Sequence, residues 1–285
     1  MIESIVVGTD GSPAATVAVS WAVDDAGRRR LPVRIVHVVE HWPYGISAFP
    51  PPGWQEAMTH AGEQVIAEAA KTAAGRRPDV DATTALIGGT PLEILREQAS
   101  EATELVIGSR GLGGFTEALL GSAVLRLAGH VPGAVVVVKA EESERRGEVG
   151  EVLVGVDGSP AGEPAVGFAF EQARLRGCPL RALRAWQVPP HAFMPDIVDV
   201  AGIRQEQQQM IDSWLAPWVE RFPEVRVVPE VTCANPASVL TEASAQADLL
   251  VVGSRGLGAV GSMVLGSVSR GVLPHARCPV AVVRS

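Results

Sequence analysis

Two glycine-rich stretches hold the residues best suited to chemistry. One reads Gly108-Ser109-Arg110-Gly111, nine residues, then Gly121-Ser122; the other reads Gly253-Ser254-Arg255-Gly256, nine residues, then Gly266-Ser267. Glycine lets bare backbone approach an anion, and successive N–H groups form a nest for phosphate oxygens. The closing Gly-Ser falls near a helix start, where unsatisfied amides and the helix dipole favour negative charge. One such loop also serves as a plain strand-to-helix turn. Two copies that keep the spacing while the intervening residues differ point to phosphate binding.

Asp10 and Asp157 form the second element of the pattern, each closing a short apolar run and preceding Gly-Ser-Pro-Ala. Aspartate is a common turn former and helix cap. Here Ser12 and Ser159 precede a proline, the place of an N-cap, which leaves the carboxylates for another task. At the crevice of an open α/β sheet, a carboxylate accepts hydrogen bonds from a ribose hydroxyl or an adenine amino group.

These residues belong to an internal repeat. Val6 to Ala14 returns as Leu153 to Ala161, and Leu105 to Gly113 returns as Leu250 to Gly258, at offsets of 147 and 145 residues. A period this long means duplicated domains rather than a solenoid. The charged stretch 141–148 lies between the copies and reads as a linker, giving domains of 1–141 and 148–285.

Within the first copy the pattern predicts strands near 2–8, 33–39, 80–86, 105–107 and 135–138. Between them it predicts helices near 12–30, 55–74, 91–100 and 116–129. The second copy repeats the order, with its last strand at Val280 to Val283. Alternating β and α elements with short connections imply α/β domains, each a mostly parallel sheet covered on both faces. With strand order 3-2-1-4-5, the crevice opens between strands one and four, where the aspartate turn and the glycine loop both end.

Composition narrows the function. The net charge of −8 argues against a sequence-independent hold on nucleic acid, and the short run Arg28-Arg29-Arg30 reads as a solvated helix end. Three widely spaced cysteines fit neither a disulfide framework nor a zinc site. No apolar run approaches the roughly 20 residues of a membrane span, and the amino terminus lacks a signal-peptide pattern. A cytoplasmic location is expected.

The enzyme signatures of related chemistry are missing from the sequence: Gly-x4-Gly-Lys-Ser/Thr, His-x-Gly-His, the Ser-Gly-Gly loop of ATP pyrophosphatases, and Gly-x-Ser-x-Gly. His130 and His275 align between copies at the end of the last helix, remote from the crevice, and read as structural.

The whole chain resembles a tandem universal stress protein, since Gly-x-x-Gly-x9-Gly-Ser/Thr is the ATP-binding signature of that family and both copies match it. The resemblance implies two Rossmann-like domains of the adenine nucleotide alpha hydrolase-like type. It places Asp10 and Asp157 on the adenosine, and Val38 and Ala185 beside the adenine. Gly108, Gly111, Gly121 and Ser122 would hold the phosphates of one ATP, with or without magnesium, and Gly253, Gly256, Gly266 and Ser267 those of another. It further implies pairing through the last strands, as in a homodimer, an unidentified regulatory protein partner, and an ATP-linked role in stress, growth or dormancy without established catalysis. A slow ATPase or phosphotransfer enzyme, and a sensor of another adenylate such as cyclic AMP, stay open. Trp186 stands where the first copy has Val39, so the two sites are expected to be unequal. The loops 42–54 and 188–196 are candidate lids.

Overall fold

A computed structural model describes residues 3–40, 50–111, 121–140, 150–187, 200–256 and 265–284. The chain divides into two units, Met1–Glu144 and Arg145–Ser285.

The first unit runs β1 (Ile5–Gly8), α1 (Pro13–Arg29), β2 (Val33–Val39), α2 (Trp54–Arg76), β3 (Ala82–Gly88), α3 (Pro91–Ala99), β4 (Glu104–Gly108), α4 (Ser122–His130) and β5 (Gly133–Val138). Its strands lie in the order β3-β2-β1-β4-β5, and the pairs are parallel. This is the order expected from the sequence. The central strands are almost wholly apolar because both faces are covered: Ile5, Val7, Leu105 and Val106 are entirely buried, and Glu104 at the start of β4 is the charged exception. Helix α1 packs beside α2, and α3 beside α4. Right-handed crossovers put these two pairs on opposite faces.

The second unit repeats the plan. It runs β6 (Glu151–Gly155), α5 (Glu163–Arg176), β7 (Leu180–Trp186), α6 (Val200–Arg221), β8 (Val227–Cys233), α7 (Pro236–Ala243), β9 (Ala247–Gly253), α8 (Ser267–Val272) and β10 (Val280–Arg284). The order β8-β7-β6-β9-β10, again parallel, matches the first unit strand for strand. Its core includes Phe170, entirely buried and stacked on Trp218 with ring centroids 6.0 Å apart.

Three expectations are corrected. Helix α4 begins at Ser122, with Gly121 outside it at φ −58°, ψ 136°, so no continuous helix covers 116–129. Residues 112–120 lie outside the described residues. Arg29 is not a solvated helix end: its side chain is 5% exposed, donates to Asp25 at 2.8 Å and lies 3.7 Å from Glu104. Finally, α5 does not start directly after Ser159-Pro160. Pro164 has no N–H to give the Pro160 carbonyl, so a 3-10 turn, Pro160–Gly162, precedes the α-helix. In the first unit no second proline intervenes, and α1 starts at Pro13 with the Ser12 hydroxyl accepting from the Ala15 amide at 3.2 Å.

Candidate functional site

Each site starts with the turn that follows the first strand of its unit. Gly11 (φ +80°) and Gly158 (φ +76°) sit in the left-handed region, which bends the chain sharply after the aspartate. The carboxylates also serve this turn, contrary to the expectation that the serine caps would leave them unengaged. Asp10 Oδ1 accepts the Ser12 amide at 3.0 Å, and Asp157 Oδ1 accepts both the amide and the hydroxyl of Ser159, at 2.9 and 2.8 Å. Aspartate readily bonds the backbone two residues on, so one oxygen shapes the turn while the other points elsewhere.

That other oxygen meets the glycine loop. A Cβ on Gly111 would stand 2.6 Å from Asp10 Oδ2, and one on Gly256 would run into Asp157 Oδ2. In the first unit Ser12 also donates from its hydroxyl to the Arg110 carbonyl at 3.3 Å. The two segments that the sequence placed at one crevice therefore touch in both units.

Each loop is closed by a serine that the sequence reading passed over. Ser109 donates its amide to Val138 at 2.7 Å and accepts the Gly121 amide at 3.2 Å; Ser254 does the same with Val283 and Gly266, at 2.8 and 2.7 Å. Buried serines thus hold the far end of each loop beside the strand that begins it. Their recurrence right after Gly108 and Gly253 was the available signal.

The glycines divide by role. Gly108 carries the start of α1, since a Cβ there would lie 2.9 Å from the Ala14 carbonyl carbon and the Ala15 nitrogen. Gly253 is confined by the Arg255 carbonyl oxygen, also at 2.9 Å. At Gly121 the nearest atom to an added Cβ is 3.6 Å away, and at Gly266 it is 3.4 Å away. Both have φ near −60°. The protein itself does not require glycine at these two positions.

In the second unit the pieces enclose a cavity of about 290 Å³. All six residues singled out there, Asp157, Ala185, Gly253, Gly256, Gly266 and Ser267, line it. So do Leu183, Pro236, Leu240 and Val252, which form an apolar wall, and Arg255, which adds a cation near the loop. Leu183 was legible from strand alternation with Ala185; Pro236 and Leu240 come from α7, whose approach the sequence does not specify. In the first unit Val38 is half-buried near the end of β2, opposite Ile87, and Ser122 opens α4. His130, exposed at the end of α4, bonds the Arg126 carbonyl at 2.8 Å through Nδ1, a helix-terminal role. Of the candidate lids, only 50–54 and none of 188–196 fall within the described residues, and Trp54 is the first residue of α2.

A duplicated, doubly wound α/β domain with an aspartate turn facing a glycine loop in each copy defines a tandem Rossmann-like α/β protein. The universal stress protein family model matches residues 1–139 and again 149–284, and the chain belongs to that family. A universal stress protein of Mycobacterium bovis is 36% identical over 290 residues, covering 99% of this chain and 97% of the relative. A second one, of Mycobacterium tuberculosis, is 35% identical over 301 residues, covering 98% and 94%. The crystal structure of a universal stress protein from Archaeoglobus fulgidus shares the fold, with a TM-score of 0.72 at 18% identity, covering 100% of this chain and 97% of that one. Among the described residues, no helix is long and apolar enough to cross a membrane.

Proposed function

We propose that each half binds an adenine nucleotide, ATP foremost, and that occupancy sets the chain's activity as a regulator of stress response, growth or dormancy. The observation that carries this reading is the convergence of Asp157, Ala185, Gly253, Gly256, Gly266 and Ser267 on one cavity. Its apolar wall suits a purine, its aspartate suits a ribose hydroxyl, and its glycine loop suits phosphates. Glycine at 121 and 266, which packing does not demand, keeps space open for an anion against the backbone. The amides of Gly121 and Gly266 are already given to Ser109 and Ser254. Phosphate oxygens would therefore take the amides that follow, those of Ser122 and Ser267 onward, and magnesium would enter with the phosphates. Asp10, Val38, Gly108, Gly111, Gly121 and Ser122 form the corresponding site of the first half, and the domain limits are 1–141 and 148–285.

We assign no catalytic residue to either pocket. Purified protein should release adenine nucleotide on denaturation and show no steady phosphate release with ATP. Lack of binding to ATP, ADP, AMP and cyclic AMP alike would remove the reading. Steady phosphate release that Asp10→Ala or Gly111→Glu abolishes would instead establish an enzyme.

A further inference from the structure

The two halves differ behind the aspartate turn. In the first, β2 places His37 there, and its Nδ1 donates to the Thr9 carbonyl at 2.7 Å. At the aligned position of β7 the second half has Arg184, only 9% exposed. Its Nε donates to Gln207 Oε1 of α6 at 2.6 Å, and its Nη1 lies 3.2 Å from where a Cβ on Gly158 would stand. Alternation along β7 puts Arg184 and Ala185 on opposite faces, so Arg184 backs the turn from the side away from the cavity.

A guanidinium this buried needs an anion nearby, because an unpaired buried charge is costly. Burial pushes the Arg184 pKa down, and the Asp157 carboxylate works against that shift. Asp157 Oδ1 is also held by both donors of Ser159, whereas the Ser12 hydroxyl of the first half reaches across to Arg110. The second turn is thus held from within by Ser159, with the Arg184 guanidinium lying behind Gly158.

We propose that Arg184 is a positioning residue of the second pocket: tethered to Gln207, it fixes the Asp157–Gly158 turn so that the carboxylate discriminates for the ribose hydroxyls of the bound nucleotide. This rests on the reading of Asp157 as a ribose acceptor. At the aligned position of the first half, His37 bonds the Thr9 carbonyl instead, so the ribose discrimination of the two halves differs.

The test uses the full chain with Gly111→Glu blocking the first site, titrated with ATP, 2′-deoxy-ATP and 3′-deoxy-ATP. The unaltered second site should prefer ATP to at least one deoxy analogue by about tenfold or more, as expected for a lost hydrogen bond to a charged group. Asp157→Asn should erase that preference. Arg184→Gln should erase it too, Arg184→Lys should keep most of it, and Arg184→Gln combined with Asp157→Asn should lose nothing further. If Arg184→Gln weakens all three ligands equally, or leaves the preference intact while Asp157→Asn removes it, Arg184 does not act through Asp157. If Asp157→Asn itself leaves the preference intact, the assignment of the aspartate fails instead. Arg184→His, the residue of the first half, provides the same comparison should Arg184→Gln fail to fold.

Discussion

Gly111 lies so close to the Asp10 carboxylate that a Cβ on it would stand 2.6 Å from Oδ2. The contact joins the turn after β1 to the loop after β4, and Gly256 repeats it with Asp157. Because Oδ1 is committed to the Ser12 amide, Oδ2 is the oxygen that faces the loop.

Gly111→Ala should therefore displace Asp10 rather than unfold the domain. Losing one hydrogen bond to a charged group costs about 1.5–3 kcal/mol, so nucleotide affinity at the first site should fall roughly 10- to 150-fold. Calorimetry on the variant, with a thermal melt as control, checks this; unchanged affinity would separate Asp10 from the ligand.

Gly108 and Gly121 should behave oppositely. An alanine at 108 presses on the backbone of α1, and such overpacking typically costs about 1–3 kcal/mol. An alanine at 121 meets only ordinary contacts and should change stability by less than about 0.5 kcal/mol while weakening nucleotide binding. Urea unfolding of the two variants side by side distinguishes a packing glycine from a ligand glycine.

Cysteine reactivity tests the second unit's packing independently. Cys233 is exposed, whereas Cys178 and Cys278 are buried, and burial pushes the Cys178 thiol pKa up. A thiol reagent at neutral pH should modify Cys233 promptly and the other two only on unfolding, since the thiolate is the reacting form. Mass spectrometry after a timed quench reads the order.

Much of the fold was legible because it was written twice. The apolar runs of β1, β4 and β5 are buried on both faces, and the repeat fixed which turns belong together. Alternation along β7 carried information too, placing Leu183 and Ala185 on one face. What escaped was local hydrogen-bond geometry. Which oxygen of Asp10 serves the turn depends on the positive φ of Gly11, and Ser109 earns its place only when Gly121 is brought back beside it. The delayed start of α5 was foreseeable from Pro160 and Pro164 together, since the second proline removes the bond that the first helical turn needs. Residues of α7 such as Leu240 reach the cavity through tertiary packing, which no local pattern specifies.

The central claim is that both halves hold a nucleotide. Calorimetric titration of the full chain with ATP should give two sites per chain with unequal affinities. Gly121→Glu and Gly266→Glu, each placing a carboxylate where phosphate would sit, should each remove one site and leave the other. A single site insensitive to both substitutions, or no binding at all, would contradict the account.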